Sequence, residues 1–180
     1  MFARQARTNV ETSDLLRELE NLHEASFGWA LWCCHQRRDE AEEVLQMAYL
    51  RVLEKKATFG GRSSFRTWFF GVIWRTASEL QRRKWVRQQL LHRWFTGRPQ
   101  SPVVTPSELL EADASRVRLR AAVDRLPQRQ QQVLHLVFYQ DLTIEEAASV
   151  LGISLGTART HFERGKRSLR HILASEEVRG

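Results

Sequence analysis

A cluster of prolines near the middle of the chain constrains the fold more than any other feature. Three of the four prolines lie within residues 96–107: Pro99, Pro102 and Pro106. Proline fixes the backbone angle φ and has no N–H to donate, so such a segment resists both helix and central strand. A chain of 180 residues suits two small domains. We therefore expect one domain over residues 1–95, a flexible linker over 96–113 and a second domain over 114–180.

The sequence on both sides of this linker has the periodicity of α-helices. Apolar residues recur at three- and four-residue spacing, and no long stretch alternates strictly as a half-buried strand does. In the first domain we expect a helix from Ser13 or Asp14 toward Trp32, a second over residues 40–55 and a third over residues 65–84. The core positions predicted for the third helix are Phe69, Val72, Ile73, Ala77 and Leu80. The predicted fold is all-α, with two small helical domains.

The second domain carries the local signals of a helix-turn-helix. Thr143 and Glu146 form a T-x-x-E capping box at the start of one helix, and Gly152 can end that helix. Ser154 can then cap the last helix. A short capped helix, a turn and a longer helix together predict a helix-turn-helix over residues 143–170.

Positive charge is concentrated in two blocks. Residues 61–98 contain nine Lys and Arg against one acidic residue, and residues 114–180 contain eleven against seven. The chain has a formal net charge of +7 and a pI of about 10.2. This balance favours a polyanionic partner such as nucleic acid.

One face of the predicted last helix has side chains suited to DNA. On a helical wheel these residues fall on or beside the face opposite the apolar stripe. They could read base edges in the major groove or hold phosphates, with Arg pairing to guanine and Glu to cytosine. The candidate DNA-binding residues of this helix are Arg159, Thr160, His161, Glu163, Arg164 and Arg167.

Three stretches of the sequence resemble the extracytoplasmic-function (group four) sigma factors of bacterial RNA polymerase. The stretch RLPQRQQQVLHLVFYQDLTIEEAASVLGISLGTARTHFERGKRSL, residues 125–169, is similar to their carboxy-terminal domain, which binds the minus-thirty-five promoter element. DEAEEVLQMAYLRVL, residues 39–53, resembles the helix that docks on core polymerase. GRSSFRTWFFGVIWRTASELQRRK, residues 61–84, resembles the part that opens the minus-ten element. The resemblance implies a factor that directs promoter-specific transcription initiation.

The block over residues 61–98 also suits DNA opening on physical grounds. Holding an opened strand requires cationic groups for phosphates and aromatic groups for unstacked bases, and this block interleaves both. Trp74 projects away from the predicted core stripe, so we expect it to be exposed. Thr76 stands where the family commonly has Asn, and Leu80 where an acidic or amide residue is frequent. The candidate minus-ten residues are Arg62, Ser64, Phe65, Trp74, Arg75, Thr76, Arg82, Arg83 and Lys84.

The helix over residues 40–55 has a second apolar group opposite its predicted core stripe. Leu50 and Met47 lie there among polar side chains, which is the pattern of an apolar anchor with a polar rim. The resemblance independently places this helix against the clamp of the largest polymerase subunit. The candidate polymerase-binding residues are Glu43, Gln46, Met47, Leu50 and Glu54. The resemblance further implies contact with the polymerase flap, with promoter DNA and with an anti-sigma factor.

Two other functional classes fit the sequence less well. A response-regulator-type activator ends in a similar helix-turn-helix, but its phosphoacceptor domain needs alternating strands and helices, which residues 1–95 do not indicate. An enzyme acting on nucleic acid is suggested only by the basic charge, because no constellation of acid, base, nucleophile or metal ligands is present.

The remaining expectations are absences. Cys33, Cys34 and His35 are consecutive on one helix and therefore point in different directions, so we expect no metal site there, no cofactor and no catalysis. Residues 1–13 have no apolar core of a signal peptide, and no stretch approaches the length of a membrane span. We expect a cytoplasmic protein that does not insert into the membrane.

Overall fold

The computed structural model describes residues 14–94 and 114–177, and the regular elements of these two ranges are eight helices. The prediction of an all-α fold is confirmed. The chain divides into two compact units, residues 1–100 and 101–180. The predicted linker over 96–113 and the proposed cap Ser13 lie outside the described residues.

The described part of unit 1, residues 14–94, contains four helices. The first, α1, covers residues 14–21 and continues almost directly into α2, His23–Cys33. The sequence predicted one continuous helix here, but a turn at Leu22 separates the two. The backbone hydrogen bonds of Leu22 still follow the helical pattern, since its N–H donates to the Glu18 carbonyl (3.2 Å) and its carbonyl accepts from Ser26 (2.8 Å).

The other helices of unit 1 are α3, Arg38–Leu53, and α4, Phe65–Trp94, and α2, α3 and α4 contact one another pairwise. Trp29 of α2 is fully buried between them and donates its indole N–H to the Phe70 carbonyl of α4 at 3.1 Å. The core stripe predicted for α4 is confirmed, because all five of its residues are buried: Phe69, Val72, Ile73, Ala77 and Leu80.

Helix α4 extends ten residues beyond the predicted end at Lys84. The next residues that stop a helix are Gly97 and Pro99, so nothing in the sequence ends α4 at Lys84. At 1.5 Å per residue its 30 residues span about 45 Å. Two ion pairs join α4 to α3: both carboxylate oxygens of Glu79 accept from Arg51, and Lys84 Nζ lies 3.0 Å from Glu40 Oε1.

Unit 2 packs three shorter helices against a long one. The shorter helices are α5, Ala114–Asp124, α6, Gln128–Phe138, and α7, Ile144–Leu151, and each contacts α8, Leu155–Glu177. Gly165 permits the close approach of α8 to α6, because a Cβ at that position would lie only 2.9 Å from Leu134 Cδ1.

The predicted local signals of the helix-turn-helix are confirmed. The Thr143 hydroxyl accepts from the Glu146 backbone N–H (3.1 Å), and the Glu146 carboxylate accepts from the Thr143 N–H (2.9 Å), which completes the capping box. Gly152 adopts the left-handed conformation (φ 66°) that ends α7. Ser154 Oγ then accepts from the Thr157 N–H at 3.1 Å and caps α8.

Candidate nucleic-acid interface

Helix α8 presents a polar face along one side of unit 2. Its opposite face carries Ala158 and Gly165, which are buried in the contact with the other helices. The predicted DNA-binding residues lie on the outward side, and all are exposed except His161, which is half-buried: Arg159, Thr160, His161, Glu163, Arg164 and Arg167. The face is therefore open to a macromolecule along several turns.

Two side chains of this face are held by neighbours within α8. The Thr160 hydroxyl donates to the Gly156 carbonyl at 2.9 Å, and Lys166 Nζ lies 3.4 Å from the Glu163 carboxylate. Arg170 was not among the predicted residues, although it is exposed and lies on the same face as Arg167, three residues earlier. Its signal was the three-residue spacing, which places it one turn farther along the helix.

Unit 1 carries an aromatic cluster at the amino-terminal end of α4. The rings of Phe59, Phe65 and Trp68 contact one another with centroids 5.2 to 5.5 Å apart. Phe59 is 43% exposed, and Phe65 and Trp68 are half-buried. Phe59 was not among the predicted residues, because it lies in the loop just before the basic block. Partly exposed rings, with the exposed Arg62 near them in sequence, could hold an unstacked base and its phosphate.

The predicted minus-ten residues do not form one uniform surface. Five of them are exposed: Arg62, Ser64, Arg75, Arg82 and Arg83. The Ser64 hydroxyl accepts from the Thr67 N–H at 3.1 Å, so it caps α4 in addition to any role in binding. Arg75 Nε donates to the Gly71 carbonyl of its own helix at 3.0 Å.

Three members of the predicted set are placed differently from the expectation. Thr76 is fully buried and its hydroxyl donates to the Val72 carbonyl at 2.8 Å, so it does not belong to the exposed surface. The predicted exposure of Trp74 is wrong, because its half-buried ring lies 6.2 Å from that of Trp29 in the unit 1 interior. Lys84 is half-buried and engaged by Glu40.

The outward face of α3 carries the predicted polymerase-binding residues. Leu50 is 54% exposed and Met47 is half-buried beside it. Their polar neighbours Glu43, Gln46 and Glu54 are exposed. Leu53, which the sequence analysis did not single out, adds a further apolar side chain at 44% exposure. The buried side of α3 packs in unit 1, so its outward face is available to a partner.

Unit 2 has its own exposed apolar patch at the end of α6. Phe138 and Tyr139 are 58% and 62% exposed. Phe138 stacks on Phe162 of α8 with centroids 5.7 Å apart, and His135 stacks on Tyr139 at 5.1 Å. Burial lowers the pKa of His135 to about 3, so this ring is neutral at physiological pH.

The two cysteines lie in the interior of unit 1. Burial raises the pKa of Cys34 to about 11 and raises that of Cys33 as well. Both thiols therefore stay protonated near neutral pH and are poor metal ligands or nucleophiles. Within residues 14–94 and 114–177, no group of three or more His, Cys, Asp and Glu residues is placed to hold a metal ion. No helix in the same ranges is long and apolar enough to cross a membrane.

Two protein families match the chain, one in each unit. Residues 23–87 match sigma-70 region 2, and residues 116–169 match sigma-70 region 4. The first match covers most of the described part of unit 1, and the second contains the helix-turn-helix. The two candidate DNA-binding helices α4 and α8 therefore each lie largely within a matched region.

Characterised relatives extend this likeness over most of the chain. The ECF RNA polymerase sigma factor SigX of Bacillus subtilis (strain 168) is 31% identical over 136 residues, which cover 74% of this chain and 70% of SigX. The RNA polymerase sigma factor YlaC of the same organism is 29% identical, covering 73% of this chain and 76% of YlaC.

Solved structures share the fold at lower identity. The sigma factor RpoE of Bartonella quintana, in complex with the anti-sigma factor NepR, superposes with a TM-score of 0.67 at 22% identity, covering 89% of this chain and 97% of that one. CnrH, in complex with the cytosolic domain of CnrY, gives a TM-score of 0.57 at 17% identity, covering 88% and 86%.

Proposed function

This chain belongs to the extracytoplasmic-function sigma factors, and from that membership and its geometry we propose how it directs RNA polymerase to promoters. Unit 1 binds core polymerase through α3 and opens the minus-ten element with α4. Unit 2 binds the minus-thirty-five element with α8. The observation that carries the proposal is that two basic helical faces, suited to different forms of DNA, occur in separate compact units.

The amino-terminal part of α4 suits an opened strand. The cluster of Phe59, Phe65 and Trp68 offers partly exposed rings for an unstacked base, and Arg62 lies beside it in sequence for the phosphate. Base stacking on an aromatic side chain contributes about 1–3 kcal/mol per base, which offsets part of the cost of opening the duplex. With Thr76 and Trp74 engaged in the interior, this cluster becomes the main candidate for strand capture.

The outward face of α8 suits an intact duplex. An α-helix fits the major groove of B-DNA, and the arginines of this face can pair with guanine edges or hold phosphates. Arg159, Arg164 and Arg167 are exposed along the first four turns of α8, with Arg170 following them. Glu163 can accept from a cytosine amino group once Lys166 turns toward a phosphate.

Two apolar surfaces suit the polymerase. We assign Leu50 and Met47, with their polar rim, to the clamp of the largest subunit, since an apolar anchor inside a polar rim is typical of protein interfaces. We assign Phe138 and Tyr139 of unit 2 to the polymerase flap, because this patch lies off the outward face of α8. The protein would then act in the cytoplasm, where core polymerase meets chromosomal DNA.

An anti-sigma factor is the further partner that we propose. The sigma factor of Bartonella quintana that shares this fold was solved with the anti-sigma factor NepR. The same apolar surfaces that suit the polymerase could be covered by such a protein, which would keep the factor inactive until release.

The alternatives are not supported. A response-regulator-type activator needs a phosphoacceptor domain with strands, whereas residues 14–94 contain helices only and match sigma-70 region 2 over 23–87. A metal-dependent nucleic-acid enzyme is not indicated, because the described residues contain no group of three or more His, Cys, Asp and Glu side chains placed to hold a metal ion.

The polymerase interface can be tested with a charged substitution on α3. Leu50→Asp should leave the protein folded, since Leu50 is 54% exposed. It should abolish holoenzyme assembly, because a carboxylate would be buried without a partner at the interface. We expect at least a hundredfold loss of affinity for core polymerase, roughly 3 kcal/mol. Size-exclusion chromatography with core polymerase measures it.

The matched control is Leu16→Asp. Leu16 is 42% exposed on α1 and lies outside the proposed surface, so this variant should co-elute with core polymerase as wild type does. Co-elution of Leu50→Asp at the wild-type level would overturn the assignment of α3. Loss of helical circular dichroism in Leu50→Asp would instead show that Leu50 belongs to the core.

A further inference from the structure

Trp85 is the most exposed of the tryptophans whose side chains the structure describes. It is 60% exposed, whereas Trp29 is buried and Trp32, Trp68 and Trp74 are half-buried. A single exposed apolar residue is common on protein surfaces and needs no explanation by itself. The surroundings of Trp85 are what make its exposure informative.

Trp85 belongs to a continuous outward face of α4. With 3.6 residues per turn, five residues fall on the same side of the helix over four turns. All five are exposed: Arg75, Ser78, Arg82, Trp85 and Gln89. Arg83 and Arg87 are also exposed, but they lie about 120° and 160° around the helix from the centre of this face. A flat apolar ring thus lies one helical turn from Arg82, on a face that has two arginines and no acidic residue, which suits a nucleic-acid backbone.

Ion pairs on the inner side of α4 fix this orientation. Glu79 is the sole acidic residue of the block 61–98, and Arg51 of α3 binds both of its carboxylate oxygens. Lys84 is bound by Glu40 of α3 at 3.0 Å. The acidic charge of the block is thereby turned toward α3, while the arginines of the outward face keep their positive charge for a partner.

Trp85 lies far along α4 from the aromatic cluster. Twenty residues separate Trp85 from Phe65, which is about 30 Å along a helix. At 3.4 Å per base-pair step this corresponds to about nine steps. If DNA runs along α4 from the cluster of Phe59, Phe65 and Trp68, the backbone at Trp85 is therefore about nine steps away from a base held by that cluster.

We infer that Trp85 binds the sugar-phosphate backbone of the promoter duplex upstream of the opened minus-ten element, an inference that rests on the proposed function. The indole ring packs against deoxyribose and its N–H donates to a phosphate oxygen. Arg82, one turn earlier on the same face, holds an adjacent phosphate. Together they anchor α4 on the duplex without reading its sequence.

The test uses holoenzyme and two DNA probes that carry a promoter it transcribes. One probe is a fork with duplex upstream and a single-stranded minus-ten element, and the other is the single-stranded element alone. Dissociation constants are measured by fluorescence anisotropy over a series of salt concentrations. Trp85→Ala should bind the fork about fivefold to tenfold more weakly than wild type, and the single-stranded probe equally well. Phe65→Ala should weaken binding to both.

Salt dependence separates the roles of the two side chains. Arg82→Ala should lower the slope of log affinity against log salt by about one on the fork probe. Trp85→Ala should leave that slope unchanged, because the indole carries no charge. Val86→Ala is the matched control, since Val86 is 44% exposed beside Trp85 but projects about 100° away, and it should bind both probes as wild type does.

Several results would overturn the inference. If Trp85→Ala binds the fork with wild-type affinity, Trp85 does not contact the duplex. If the variant loses affinity equally for both probes, Trp85 contacts the opened strand instead. Loss of co-elution with core polymerase in Trp85→Ala would make Trp85 part of a protein interface. If the wild-type chain itself fails to bind core polymerase, the proposed function fails first, and this inference fails with it.

Discussion

Helices α4 and α8 are both long and basic, but they differ in how many of their predicted DNA-binding residues are buried. The residues of α8 predicted to contact DNA lie on its outward side, where Arg164 and Arg167 are exposed. Helix α4 packs in the core of unit 1, where Thr76 is buried and Trp74 is half-buried. The exposed residues of a basic helix on the surface of a domain can therefore be predicted from their spacing alone. Those of a basic helix that packs in a core cannot.

The largest effect is expected where α4 meets the interior. Trp29→Ala removes a fully buried ring and its hydrogen bond to the Phe70 carbonyl, which should lower the free energy of unfolding by about 3–5 kcal/mol. Urea titration followed by tryptophan fluorescence measures it, since all six tryptophans lie in unit 1. Trp85→Ala is the control and should cost less than about 0.5 kcal/mol. Equal losses in the two variants would contradict the described core.

Acid should destabilise unit 2 at a higher pH than unit 1. The pKa of His135 is about 3, below its ordinary value near 6.5, so the unfolded state binds the extra proton more readily. The stability that this group contributes is fully present above about pH 6.5. Below that pH the free energy of unfolding falls by about 1.4 kcal/mol per pH unit, so the loss is roughly 3 kcal/mol at pH 4. Thermal unfolding followed by circular dichroism should show this loss in wild type and not in His135→Leu.

Unit 1 should respond to acid at lower pH. The hydrogen bonds from Arg51 lower the pKa of Glu79, so the stability from this pair is present above the ordinary glutamate pKa and is lost as the pH falls below it. Tryptophan fluorescence, which reports on unit 1, should therefore remain native between pH 6.5 and 5 while unit 2 weakens. A fluorescence change that begins with the loss of unit 2 would refute this separation.

Base reading by α8 is expected to give the next largest effect. Arg164→Ala should weaken holoenzyme binding at the cognate upstream element by about 1–3 kcal/mol if the guanidinium pairs with a base. Arg118→Ala removes the same charge from an exposed site on α5 and should cost much less. Binding to matched and mutated elements is the measurement. A loss that is uniform across sequences would mean that Arg164 holds phosphate, and an unchanged upstream footprint would exclude it from the contact.

Much of unit 2 could be predicted because its signals are local. The capping box of Thr143 and Glu146 and the left-handed Gly152 depend only on neighbouring residues, and the structure contains each of them. Arg170 was missed because the candidate face was ended one turn too early. The stacking of Phe138 on Phe162 depends on how α6 meets α8, so the sequence of α6 alone did not indicate this patch.

Unit 1 was harder to predict because its aromatic residues make contacts distant in sequence. Trp74 packs near Trp29, and Lys84 pairs with Glu40, and neither contact follows from the spacing of residues within α4. The core stripe of α4 was predicted correctly, because five apolar residues at helical spacing are buried whichever helix packs against them. The identity of that partner decides which of the remaining residues stay exposed.

The smallest effect is expected at Thr76. Its hydroxyl donates to a carbonyl of its own helix, and Val has nearly the same shape, so Thr76→Val should change the free energy of unfolding by less than about 1 kcal/mol. It should also leave the base preference at the minus-ten element unchanged. Transcription from promoters randomised at that element checks this. An altered preference would show that Thr76 takes part in DNA binding after all. It would also contradict the conclusion that α4, unlike α8, has predicted DNA-binding residues in the interior.

Run-off transcription tests the central claim most directly. Purified chain and core RNA polymerase are mixed with fragmented genomic DNA of the source organism, and the transcripts are sequenced. We expect discrete start sites whose upstream DNA shares two elements, one lost on changing α8 at Arg164 and the other on changing α4 at Phe65. Transcripts that are no more specific than those of core polymerase alone would contradict the account.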